Sequence, residues 1–120
     1  MEAVKIGAFS RCVFPNGNVV QIVQPSQNKN GIYLRTAGIQ PGHGWVNLYA
    51  SATPPPGPGD IDTPIIFAGN GSARAGERSQ VLLQYPLFIP SGLGLWVSSG
   101  SFLDGAAADG AFFATWDLLS

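Results

Sequence analysis

Apolar and polar positions along this chain alternate with a period of two, in short runs cut off by glycine, proline or asparagine. Successive side chains of an extended strand point to opposite faces, whereas a helix repeats every 3.6 residues, so the pattern predicts strands. Over 19–24, Val20 and Ile22 alternate with Gln21, and Pro25 ends the run. Residues 26–31 read as a turn, with Asn30 and Gly31 suited to left-handed backbone. Over 32–39, Ile32, Leu34 and Thr36 share one face and Tyr33 and Arg35 the other. A turn at 40–44, holding Pro41, Gly42 and Gly44, leads into 45–51, where Val46, Leu48 and Ala50 oppose Trp45, Asn47 and Tyr49.

Further along, 65–68 is a short apolar strand, 69–79 is rich in turn residues, and 81–85 resumes the strand pattern up to Pro86. Leu87 and Ile89 lead into Pro90-Ser91-Gly92, and in the strand over 93–98 Leu93, Leu95 and Val97 oppose Trp96. Residues 100–110 are small and glycine-rich, with a single helical turn conceivable over 103–108. Over 111–119, Phe112, Ala114, Trp116 and Leu118 alternate against Phe113, Thr115 and Asp117. Seven or eight short strands spaced by turn signals predict an all-β domain, an antiparallel β-sandwich of jelly-roll type spanning residues 1–120. Residues 1–11 are expected to form an N-terminal strand or arm, and 53–64, with three consecutive prolines, a stiff exposed loop.

Composition narrows the function. The chain is 45% hydrophobic but only 11% charged, with a formal net charge of −1. Disorder goes with low hydrophobicity and high charge, so the composition predicts a folded domain with a weakly charged surface that suits protein contacts. The six basic residues are scattered, which argues against phosphate neutralisation and a nucleic-acid partner. The longest apolar runs are far short of the ~20 residues of a spanning helix, so no membrane partner is expected. Cys12 is the only cysteine, which rules out an internal disulfide. The first ten residues lack a signal-peptide pattern, so synthesis in a reducing cytoplasm is expected.

Candidate chemistry is sparse. His43, the one histidine, lies between Gly42 and Gly44 and would be the compulsory base of any hydrolytic arrangement. There is no Gly-x-Ser-x-Gly elbow, and His43 with Cys12 and distant carboxylates makes a poor zinc set. Asp60 and Asp62 lie two apart in the proline-rich loop, without the oxygen-rich loop of a calcium site. Gly69-Asn70-Gly71-Ser72 lacks the Lys-Ser/Thr pair of a phosphate loop. The reading is therefore a protein that is not an enzyme and needs no cofactor.

The aromatic residues point to binding instead. If the valine and leucine faces make the core, Trp45, Tyr49 and Trp96 point outwards, towards a protein interface or a sugar-stacking platform. The expected contact elements are the aromatic face with Trp45 and Tyr49, the loop with Pro54, Pro55, Pro56, Asp60 and Asp62, and the N-terminal arm up to Arg11.

Two segments carry a family resemblance. Gly31-Ile-Tyr-Leu-Arg-Thr-Ala-Gly38, and Pro86-Leu-Phe-Ile-Pro-Ser-Gly-Leu-Gly-Leu-Trp-Val-Ser-Ser-Gly100 beyond the long loop, resemble the small β-sandwich proteins that tailed bacteriophages build into their virions. The shared signature is a proline- and glycine-bearing turn, here Ile89, Pro90, Gly92 and Gly94, that runs into a core strand at Leu95 and Trp96. The resemblance implies a virion structural protein acting as a homo-oligomer, trimeric in one version, on a major capsid or other virion protein. Capsid decoration or cementing is the leading role. A head- or tail-attached fibre or adaptor, a carbohydrate-binding module and a hydrolase using His43 are the alternatives.

Overall fold

The computed structural model describes residues 6–71, 80–102 and 108–119. Its strands in chain order are β1 (Phe9–Val13), β2 (Val19–Val23), β3 (Ile32–Gln40), β4 (Gly44–Ser51), β5 (Ile65–Asn70), β6 (Val81–Leu82), β7 (Leu87–Ile89), β8 (Gly94–Ser101) and β9 (Ala111–Leu118). Residues 1–5 of the expected arm, 72–79 of the expected turn region and 103–107 of the conceivable helical turn lie outside the described residues.

The strands form two antiparallel sheets. One runs β1-β9-β3-β6, with β7 also paired to β3, and the other runs β2-β8-β4-β5. With β6 and β7 counted as one interrupted strand, eight strands cross between the sheets as two interlocked Greek keys, which is the jelly-roll topology. β9 lies between β1 and β3, so the C-terminal strand is central to its sheet. Phe9 pairs with Trp116, the two rings stack at 6.2 Å, and the Ala8 backbone N–H donates to the Asp117 carboxylate at 2.8 Å. The first and last described residues therefore leave from the same end of the same sheet.

The alternation read from the sequence sets the core. Val23, Val46, Leu48, Leu95 and Val97 from one sheet meet Ile32, Leu34, Ile39, Phe112 and Trp116 from the other. Burying two such faces supplies the main driving force for folding. In β3 the expected phase fails halfway. A bulge between Leu34 and Thr36 turns Thr36 outward, where its hydroxyl bonds that of Thr115 at 2.7 Å, and brings Ala37 and Ile39 into the core.

The same bulge splits the strand opposite. β6 pairs with Gly38 and Ile39 and β7 with Ile32 to Leu34, while Pro86, which has no N–H to donate, sits between them. The expected strand over 81–85 is therefore reduced to Val81 and Leu82, and Leu87 to Ile89, expected only to lead into the next turn, form a strand of their own.

Asn28, read from the sequence as an ordinary turn residue, is buried and fully bonded. Its Nδ2 donates to the carbonyls of Pro90 and Leu93, at 2.7 and 2.8 Å, and its Oδ1 accepts the Gly31 N–H at 2.8 Å. It ties the turn before β3 to the turn before β8.

Candidate interaction surface

The outer face of the four-stranded sheet carries the aromatic side chains expected to form a contact surface. Trp45, Asn47 and Tyr49 on β4 stand opposite Gly100, Ser98 and Trp96 on β8. The alternation is as expected, but the exposure is not. Tyr49 is 0% exposed and Trp96 2%, while Trp45 is half-buried. The Tyr49 hydroxyl bonds the equally buried Ser98 Oγ at 2.9 Å. Trp45 lies across Gly100, where any β-carbon would collide with the indole ring. Tyr49 and Trp96 therefore belong to a second buried layer and are not available to a partner.

The proline-rich loop belongs to the same layer. The far edge of the Trp45 ring lies against Gly59, and the Ala50 N–H donates to the Pro64 carbonyl at 3.2 Å. Pro55 is buried, and the Asp60 carboxylate accepts both the Thr63 N–H, at 3.0 Å, and the Thr63 hydroxyl. The expected stiff exposed loop is a strap: most of it is exposed, and Gly59 and Pro64 hold it to its own sheet. Pro55 and Asp60 serve that fold, and Pro54, Pro56, Ile61 and Asp62 remain exposed.

Arg11, on β1, is exposed, and its guanidinium donates to the Gln21 carbonyl of β2 at 2.8 Å, bridging the two sheets along one lateral edge. Beside it, Ser10, Cys12, Thr36, Phe113 and Thr115 line a shallow groove of about 370 Å3 on the outer face of the five-stranded sheet. Arg35 stacks over Tyr33 at 4.2 Å and pairs with Asp117 at 2.8 Å further along that face.

His43 has a partner that the sequence did not reveal. Its Nδ1 lies 3.1 Å from Asp109, whose other oxygen accepts the His43 backbone N–H at 2.9 Å. That backbone N–H is the main cause holding the Asp109 carboxyl below its ordinary value. Gly42, at φ 63°, leaves room for the carboxylate where a side chain would clash. The pair joins the turn between β3 and β4 to the entry of β9 and lies outside the groove beside Arg11. Among the described residues no three His, Cys, Asp or Glu side chains converge as a metal site.

Among the described residues most exposed large apolar side chains lie at the lateral edges of the sandwich, Ile61 of the strap and Phe102 after β8 being the exceptions. Ile6, Phe9 and Phe14 lie on or beside β1, and Ile65, Leu82, Tyr85 and Phe88 on or between the strands of the opposite edge. On that second edge Phe67, Val81, Leu82, Leu83, Tyr85 and Leu87 line an apolar groove of about 440 Å3 between β5 and the β6–β7 segment. The sequence does not mark these positions as edges, because which strands become edges depends on long-range pairing. No family model matches this sequence, and no curated protein is significantly similar to it.

Proposed function

We propose that this chain is a non-enzymatic structural subunit that works in a symmetric assembly of its own copies, and that the assembly is a phage virion whose capsid it decorates or cements. One observation carries the assembly reading. The five strands at the lateral edges, β1, β2, β5, β6 and β7, hold a single charged side chain, Arg11, and that one is bonded to Gln21. An open strand edge is a template for pairing, and soluble monomers blunt it with lysines, other charges or proline. Edges with one charge between them, flanked by exposed phenylalanine, leucine and tyrosine, suit permanent contact with other protein, made at β6 and β7 through side chains because Pro86 breaks that edge.

The virion setting rests on the resemblance at 31–38 and 86–100, together with the occurrence of jelly rolls in viral capsid proteins. A fold by itself assigns no function, so the particle is the object to test. In lysates of the natural source, an antibody to this chain is expected to band with assembled particles, and electron microscopy should find the label over the capsid. Label confined to the tail would replace decoration with the fibre or adaptor role. Recovery solely as free protein would end the virion reading. A carbohydrate platform loses its main support because Tyr49 and Trp96 are covered.

A further inference from the structure

We infer that Asn16 is a site at which this chain modifies itself, losing its side-chain amide to become aspartate or isoaspartate, and that Ser99 sets the pace. Three of the six asparagines, Asn16, Asn30 and Asn70, are followed by glycine. In an Asn-Gly pair the glycine amide nitrogen attacks the asparagine Cγ, and glycine has no β-carbon to hinder the approach. The new N–Cγ bond closes a succinimide, the Cγ–Nδ2 bond breaks, and ammonia leaves with the proton that the backbone amide gives up. Water then opens the ring at either carbonyl. No electrons are exchanged, and water is the only co-reactant.

All three asparagines are exposed, so exposure does not rank them. What differs is how each attacking nitrogen is held. The Gly31 N–H donates at 2.8 Å to Oδ1 of Asn28, a buried side chain that is itself fixed by two carbonyls. The Gly71 N–H donates to the Gly44 carbonyl at 2.6 Å, directly after β5. The Gly17 N–H donates to the Ser99 hydroxyl at 3.1 Å, the longest of the three. Packing runs the same way. A β-carbon at Gly31 would strike the Phe88 ring and one at Gly71 the Gly42 carbonyl, whereas nothing lies within 4 Å of that position at Gly17. Asn16 and Gly17, left-handed at φ 54° and 79°, form a two-residue turn closed by the Asn18 N–H on the Pro15 carbonyl at 3.0 Å. Local opening costs least where few contacts hold the backbone, so Gly17 is the nitrogen freed most often. The product places a carboxylate on the link from β1 to β2, which lie in different sheets, and isoaspartate lengthens that link by one backbone atom.

The intact purified chain is incubated at mildly alkaline pH, and peptide mapping by mass spectrometry follows each asparagine over time. In the folded protein Asn16 is expected to convert well ahead of Asn30 and Asn70, and in denaturant all three should convert at similar rates. Conversion of Asn30 or Asn70 as fast as Asn16, or none at Asn16 while the denatured chain converts, overturns the inference. Ser99→Ala is expected to speed conversion at Asn16 several-fold and to leave the other two unchanged, a selectivity that general loosening of the fold would not give. An unchanged rate at Asn16, or equal acceleration at all three, removes Ser99 from its role. If Ser99→Ala does not fold, Ser99→Cys, which offers only a weak acceptor, makes the same comparison.

Discussion

At the scale of single residues, the structure separates side chains that look alike in the sequence. Tyr49 and Trp45 occupy the same face of β4, yet one is sealed and the other half-open. The difference follows from what lies opposite. Ser98 offers Tyr49 a hydroxyl, whereas Gly100 offers Trp45 a flat bed with the strap on top. Tyr49→Phe leaves Ser98 without this partner in a buried setting and is expected to cost about 1–2 kcal/mol in denaturant unfolding. A stability indistinguishable from wild type would return Tyr49 to the list of surface residues. The alternation along β4 and β8 told which residues share a face. It could not tell how far the second face is covered, since that depends on contacts such as Gly59 of the strap against Trp45. Asn28 was illegible for a related reason: a buried asparagine that staples two turns has the same local sequence as a solvated one.

At the scale of elements, β4, β8 and β9 matched their expected phases because each is regular over its length. β3 did not, because one bulge reverses inward and outward for every residue beyond it. Thr36 and Ala37 exchange places, and no signal in residues 32–40 marks the position of the extra residue. The contacts of the strap with its own sheet lie beyond the same local rules. Prolines exclude the segment from a ladder, but they do not keep it from lying on a sheet. Pro55 is buried and Gly59 touches Trp45, so deleting residues 55–59 should open the Trp45 ring to water. A red shift in tryptophan emission and stronger quenching by acrylamide are the expected readouts. An unchanged spectrum would mean that the strap covers nothing.

At the scale of the whole molecule, the fold class was legible and the pairing was not. Short alternating runs between turns announce a sandwich, but β1 meets β9 across almost the full length of the chain, and no local rule supplies that contact. Because β9 lies between β1 and β3, five-stranded pairing cannot form until the final strand is present. Truncation after Gly110 is therefore expected to abolish cooperative unfolding altogether, where loss of a peripheral strand would only lower the midpoint. The same topology creates the sparsely charged edges on which the proposed assembly depends, and these too are invisible until the neighbours of each strand are known.

The proximity of the two ends of the described chain has a mechanical meaning. β1 and β9 are antiparallel neighbours whose outer ends, Phe9 and Trp116, face each other. Tension applied between residues 6 and 119 would load the hydrogen bonds of this pair one after another, as a zip opens, and would not shear them together. Force transmitted from edge to edge instead crosses every strand of both sheets at once. The β1–β9 pair is thus weak when pulled at residues 6 and 119, and the sandwich resists more when load is spread across its strands.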